Sequence, residues 1–371
     1  VVNKAGLIET VGSGEPRIDF SNDAKGALLL EPTRMNKVTY SEDFSQWTED
    51  RVLVSDNQII SPNGILNADK ISENSENNVH RLYSNTFSAV SGSDYSISVF
   101  AKKGTATVLQ LGITTTSVIG TGRANFDLQN GVLGSVSGGS AIIENYGNGW
   151  YKCIFTFESL STASAPVSFL LTNNNLTALR NPSYAGNTSQ NIYLWGAQLE
   201  QGSYATSYIP NFGNSAGATR SADVCNNGGN EQVINSTEGT IFINCDFINN
   251  NGVQVLCSPN DNATNKRIEI WANSGLVTGF IGGSSNITIG SSALVNGNHK
   301  IALAYKSGNS SFYIDGVLIG SKSDSFTISA LTQLSLGYFN GNQYMSESKT
   351  KDVRVYNTAL TDQELQALTS N

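Results

Sequence analysis

Apolar and polar positions alternate along most of the chain. Segments such as "DYSISVFAKK", "TVLQLGITT", "RANFDLQNGVLGSV", "WYKCIFTF", "VSFLLT" and "NIYLWGAQLE" place every second side chain on one side. That is the period of a strand with one buried face. Gly, Asn, Ser and Asp punctuate these runs roughly every 8 to 12 residues, the spacing of antiparallel sandwiches. "LQNGVL" sets Asn130-Gly131 between two runs and predicts a two-residue type I′ turn. In "KIALAYKSGNSSFYIDGVLIGS", Ile301, Leu303 and Tyr305 alternate in one strand, Phe312 and Ile314 in the next, Val317 and Ile319 in a third. Asp315-Gly316 then reads as a hairpin corner, because Asp tolerates positive φ and Gly adopts it freely. Helical periodicity is confined to the tail, "LTDQELQALTS". Thr361 and Glu364 form a capping box there ahead of Leu365 and Leu368, predicting one short helix that covers a sandwich edge.

The pattern breaks twice. Residues 1–37 carry short apolar runs interrupted by Gly and Pro and read as a lead-in or extended docking segment. The Gly/Asn-rich "CNNGGNEQVINSTEG" offers little to bury, and residues 226–238 read as a linker. Residues 38–225 and 239–371 are each of sandwich size. The expected fold is all-β: two jelly-roll β-sandwich domains in tandem, an N-terminal docking segment and a short C-terminal helix.

Composition agrees with a folded β protein. Of 371 residues, 14% are charged, and 15 Phe, 14 Tyr and 4 Trp accompany 36 Gly. A disordered chain would carry more charge and fewer aromatics. The net charge of −8 argues against nucleic acid as a partner, since no stripe of Lys and Arg matches a phosphate backbone. No apolar run reaches the roughly 18 residues that span a bilayer, so membrane insertion is not expected. The start "VVNKAGLIE" has no initiator Met and no signal-peptide pattern, and the chain is expected to be processed or part of a longer polypeptide. Cys153, Cys225, Cys245 and Cys257 are too scattered for a disulfide framework. Cys153 reads as a core residue. Cys245 and Cys257 flank "INNNG" and could face each other across a hairpin, with reduced buried thiols the preferred reading over a bridge.

Several constellations have a chemical reading and a plainer one. "GNSAG" around Ser215 matches a nucleophile-elbow pattern, but no strand-to-helix turn surrounds it, and His80 and His299 lie in unrelated contexts. Glu42-Asp43 near the lead-in and Glu200 at a strand end do not form the close run of acids that glycoside hydrolysis on such a sandwich would use, and exposed solubilising acids are the reading for most of the 30 Asp and Glu. Asp261 in "SPNDNATNK" is a candidate calcium ligand, set against a polar turn. Six N-x-[ST] sequons, Asn175, Asn187 and Asn286 among them, follow from the Asn/Ser/Thr-rich composition. Trp150 and Trp195 read as core, and Trp47 as closing the lead-in against the first sandwich.

"LLLEPTRMNKVTYSEDFSQW" at 28–47 resembles a lead-in of bacteriophage structural and fibre proteins, and "YLWGAQLEQGSYATSYIP" at 193–210 resembles the closing strand of the same carbohydrate-binding-like module. "ANFDLQNG" and "NGWYKCIFTF" fit its internal hairpin; Met35 and Lys37 depart from it. The blocks "NHKIALAYKSGNSSFYIDGVLIGS", "QLSLGYF" and "KDVRVYNTALTDQELQAL" resemble the laminin-G-like, concanavalin A-type lectin/glucanase sandwich. Together the resemblances imply a non-enzymatic virion appendage, a phage fibre, spike or head-fibre component at the virion surface or otherwise extracellular. Its expected partners are host cell-surface glycans and other virion proteins, with assembly as a homo-oligomer such as a trimer; no cofactor is expected, and calcium at Asp261 is left open. A structural decoration protein without a sugar ligand and a polysaccharide-degrading enzyme are the alternatives. Sugar C–H faces stack on aromatic rings while amides meet the hydroxyls, so the candidate glycan contacts are Trp271 and, in "GYFNGNQYMSES", Tyr338, Phe339, Asn340, Asn342 and Tyr344.

Overall fold

The computed structural model describes residues 1–248, 252–261, 266–328, 330–339, 342–343 and 348–370, with the backbone alone of Phe339, Asn342 and Gln343. The chain is all-β apart from short helices, and its strands divide into two compact units. One comprises Val1–Thr10 and Arg34–Arg220, the other Val11–Thr33 and Ser221–Asn371. Each is a β-sandwich of jelly-roll type.

In the first unit, one six-stranded sheet runs Val132–Ser137, Arg123–Asp127, Val108–Ile113, Ala163–Leu171, Arg81–Ala89, Thr48–Asp50. The facing sheet runs Ser140–Asn145, Trp150–Glu158, Asp94–Lys103, Asn191–Gln201, Leu66–Glu73, Val52–Ile60. Alternation selects what meets between them: Leu109, Leu111, Phe126, Phe169 and Leu82 from the first sheet, Ile97, Val99, Phe155 and Leu194 from the second. Trp47 closes this core, its ring 5.0 Å from Phe44 and 5.1 Å from Phe169. Trp150 and Trp195 are buried as expected but not between the sheets. They join Phe100 and Ala68 in a separate cluster on the back of the second sheet, covered by Ile8, Tyr146 and Tyr208. The central strand Asp94–Lys103 is therefore buried on both faces.

The predicted two-residue turn at Asn130-Gly131 is not formed. Asp127 pairs with Val132, which leaves a four-residue loop in which Gly131 has φ 67°. Leu128 enters the core at 1% exposure, and the Asp127 carboxylate accepts from the backbone N–H groups of Gln129 and Asn130. Burying one more leucine lengthens the loop.

In the second unit, a seven-stranded sheet runs Ile18–Asp19, Ala27–Leu30, Ser348–Tyr356, Glu238–Phe247, Gly297–Lys306, Ser310–Ile314, Val317–Lys322. It faces Cys225–Gly228, Gln333–Leu336, Val253–Asn260, Arg267–Asn273, Leu276–Gly282, Asn286–Ala293. Residues 1–37 thus supply the strands Ile18–Asp19 and Ala27–Leu30 to this sheet, while Arg34–Asn36 pairs with Ala218–Arg220 in the first unit. Within residues 225–238, Cys225–Gly228 is an edge strand and Ile234 is buried in the core. Asp315 and Gly316 form the corner between Ile314 and Val317, with φ 50° and 79°, as a type I′ hairpin requires. The C-terminal helix Asp362–Thr369 begins with the Thr361/Glu364 capping box. It packs on the outer face of the seven-stranded sheet rather than on an edge. Leu365 is fully buried against Phe242, Ala302, Ala304 and Tyr313, where the two alanines let the helix approach closely.

Candidate functional site

The outer face of the second unit's six-stranded sheet holds the candidate residue Trp271. In the strand Arg267–Asn273, Ile268, Ile270 and Ala272 point into the core, so Arg267, Glu269 and Trp271 point outward. In Leu276–Gly282, the inward residues Val277 and Ile281 leave Thr278 and Phe280 outward. The register puts Trp271 opposite Thr278 and Glu269 opposite Phe280. The rings of Trp271 and Phe280 therefore stand diagonally across two strands, their attachment points roughly 7–8 Å apart. Both are half-buried. The guanidinium of Arg267 lies over the Phe280 ring at 4.6 Å and donates from Nε to Glu269 at 2.8 Å. Burial pushes the Glu269 carboxyl up, and the charge of Arg267 opposes that shift. Thr278 and Ser291 share a hydroxyl hydrogen bond of 2.8 Å beside Trp271. The assembly is a ring-lined platform with a carboxylate, a guanidinium and two hydroxyls at its borders.

A second polar row lies alongside. Ser258 and Asn260 alternate with inward Cys257, and Ser335 and Gln333 sit on the paired strand. The Gln333 amide donates to Asn260 at 2.8 Å, and Asn260 donates to the Ser335 hydroxyl at 3.2 Å. The Ser258 hydroxyl is fully buried and meets no partner among the described residues.

Of the expected contacts, Trp271 stands on the platform, in mid-strand rather than in a loop. Tyr338 is half-buried just beyond the strand Gln333–Leu336. The neighbouring Gly337 N–H donates to Val255 O at 2.8 Å, and Val255 pairs with Trp271, so the backbone brings Tyr338 to the Trp271 end of the sheet. Phe339 and Asn342 lie in paired two-residue strands, Tyr338–Phe339 and Asn342–Gln343, their side chains outside what is described. Asn340 and Tyr344 lie outside the described residues. Asp261 sits at the opposite end of the same strands, since Asn260 pairs with Arg267, four residues or roughly 13 Å from Trp271. Its carboxylate is 3.8 Å from the Lys266 ammonium. Phe280, Glu269 and Arg267 were not anticipated. Arg267 and Glu269 share the phase of Trp271 in "RIEIW", which is the signal that exposes them; Phe280 joins only through the cross-strand register.

The remaining candidates have structural settings. Ser215 is exposed in a turn that leads into the strand Ala218–Arg220, with no elbow. His299 faces Asp315 at 2.6 Å through Nδ1 and the Val295 carbonyl at 3.0 Å through Nε2, so both nitrogens are engaged. Glu200 is fully buried and holds Thr206 and Gln198, so it fastens a loop rather than solubilising the surface. Asp43, Asp56 and Asp69 bring carboxylate oxygens within 4.8 Å of one another. All four cysteines are free, with Cys153, Cys245 and Cys257 buried. An open depression of about 440 Å³, lined by Glu231, Ile234, Asn235, Ser236, Ala330 and Asn357, carries one carboxylate. Glycoside hydrolysis uses two.

No curated protein matches the chain. Among solved structures, the chain is similar to the Ruminococcus gnavus IT-sialidase CBM40 bound to α2,3 sialyllactose, with 17% identity over 37% of this chain and 84% of that one, TM-score 0.32. It is similar to the native heptameric SAP-like pentraxin from Limulus polyphemus, with 17% identity over 40% and 75% of the two chains, TM-score 0.33. It is also similar to the receptor binding domain of botulinum neurotoxin D, with 11% identity over 35% and 36%, TM-score 0.30. Residues 230–366 match the family described as the concanavalin A-like lectin/glucanases superfamily, of laminin G type. The second unit is a lectin-like jelly roll.

Proposed function

We propose that this chain is a non-enzymatic glycan-binding component of a virion appendage, a fibre, spike or head fibre that adheres to host surface sugars. The observation that carries the sugar reading is the outward pair Trp271 and Phe280, bordered by Glu269, Arg267, Thr278 and Ser291 on a lectin-like sandwich. Apolar C–H faces of a pyranose stack on such rings while its hydroxyls meet the carboxylate, guanidinium and hydroxyl groups. The virion setting is supported by the resemblance of the blocks at 28–47 and 193–210 to bacteriophage structural and fibre proteins. Adhesion in that setting needs only weak single sites, because copy number multiplies them.

A glycan array probed with the full chain and with Trp271→Ala tests the reading. Binding to a defined glycan set, weakened about tenfold or more by the substitution, supports it; one lost stacking contact of about 1.4 kcal/mol gives that factor. Absence of any hit favours a decoration protein. Release of reducing ends from bacterial capsule, abolished by one carboxylate substitution, would make the chain an enzyme instead.

A further inference from the structure

The first unit holds a different feature, on the outer face of the sheet that contains Val108–Ile113. Inward Leu82, Leu109, Leu111 and Phe169 fix the outward set. Two rows cross the sheet: Asn125, Gln110, Leu170, Arg81, Asp50, and beside them Arg123, Gly112, Ser168, Tyr83, Thr48. The segment 172–183 folds over the first row at its Gln110 end. The Ala178 carbonyl accepts from Arg123 Nε and Asn125 Nδ2, both at 2.8 Å, and Gln110 grips the Leu179 carbonyl and the Asn181 N–H.

That segment delivers Arg180 to the same face. Its Nη2 donates to the carbonyls of Ile113 and Thr114 at 2.8 and 2.6 Å. Among the described residues its buried Nε–H meets no acceptor and no carboxylate pairs with the guanidinium. Burial, and after it the positive charge of Arg81, pull the Arg180 guanidinium below its ordinary value. Arg81 lies half-buried over the Tyr83 ring at 5.5 Å and shares Asp50 with Arg51, which also reaches Glu76. Arg81 and Arg51 thus share Asp50, with Glu76 as a further acid for Arg51, while the Arg180 guanidinium is met by carbonyls. Beside them Gly112, itself buried, has no side chain, and a Cβ there would come no nearer than 3.7 Å to any neighbour.

An uncompensated cation with an unmatched N–H, next to a second guanidinium and an aromatic ring, is complementary to an anion borne on a ring-shaped ligand. We propose that Arg81 and Arg180 bind the carboxylate of an acidic saccharide on this face, with the sugar lying along Tyr83. The site is separate from the Trp271 platform and takes charged rather than neutral sugars.

Calorimetry and amide chemical-shift mapping on the full chain test this with two acidic probes and their neutral counterparts: trigalacturonate against its methyl ester, and 3′-sialyllactose against lactose. The expected result is binding of at least one acid, tenfold or more tighter than its counterpart, weakening with added salt and shifting the amides around Tyr83 and Ser168. Arg180→Lys and Arg81→Gln should each weaken it tenfold or more, and Trp271→Ala should leave it unchanged. Arg81→Gln lies outside the covering segment, so it serves if Arg180→Lys loosens that segment. Equal binding of acid and neutral sugar, retention in both arginine variants, or loss in Trp271→Ala would each overturn the proposal. So would identical shifts with inorganic sulfate alone, which would show a simple anion site.

Discussion

The buried carboxylate of Asp69 should make the first unit more stable at pH 5 than at pH 7. Asp69 is 1% exposed and accepts the N–H groups of Phe44 at 2.9 Å and Asn57 at 2.8 Å. Burial outweighs those bonds and, with the neighbouring charges of Asp56 and Asp43, raises its pKa from 3.8 to about 6. A folded-state pKa above the unfolded value means that folding takes up a proton between the two. The resulting stability is full below about pH 4 and is lost as pH rises through about 6. With those two values, the linkage relation gives roughly 1.4 kcal/mol between pH 5 and pH 7, a tenfold change in the unfolding constant. The assay is urea unfolding at both pH values, followed by tryptophan fluorescence. Trp47, Trp150 and Trp195 all lie in the first unit, so the signal is weighted to it. Burial also raises Glu42 and Glu200, which act with the same sign, so the decisive quantity is the difference from Asp69→Asn. That variant should lose most of the pH 5 to pH 7 difference. Parallel pH profiles for wild type and variant, or a wild type that loses stability on going from pH 7 to pH 5 relative to Asp69→Asn, would refute the reasoning.

Leu365→Ala should lower the stability of the second unit by about 2–4 kcal/mol, because it empties the contact between helix and sheet; urea unfolding read by Trp271 fluorescence in a Trp47/Trp150/Trp195→Phe background checks it, and a loss below 0.5 kcal/mol would mean that the helix does not hold that face. Thiol titration of the native chain with a colorimetric disulfide reagent at pH 8 should leave Cys153, Cys245 and Cys257 silent, since burial holds Cys245 up at about 12 and the other two high as well. Half-buried Cys225, also shifted up by burial, should react slowly, and all four should appear in denaturant. Rapid reaction of two or more native thiols would contradict the packing.

What could be read from the chain alone was whatever a few neighbouring residues decide. Asp315-Gly316 is such a case: a two-residue corner demands two positive φ angles, and the pair that tolerates them is visible in the text. So is the capping box of Thr361 and Glu364, which needs only residues three apart. The helix was legible, but its seat was not. Face rather than edge was decided by Ala302 and Ala304, small residues on a strand some 60 positions earlier. Asn130-Gly131 has the right local chemistry for a tight turn and still lost to the core, which took Leu128.

Alternation has a blind spot of its own. Period two sorts side chains into two sets without saying which set meets the other sheet. In Asp94–Lys103 both sets are buried, so Phe100, Trp150 and Trp195 could be placed inside the protein but not on the correct side of their sheet. Binding surfaces suffer most, because they are made across strands. Trp271 was visible as a candidate, and Glu269 and Arg267 share its phase, yet Phe280 becomes its neighbour only through the register that sets Glu269 against it. Arg81 and Arg180 are 99 positions apart and share one face of the sheet because Leu170 pairs with Arg81 while the segment after it folds back over Gln110. A one-residue slip in either pairing would turn these side chains into the core. Register is therefore the physical quantity on which both binding proposals rest.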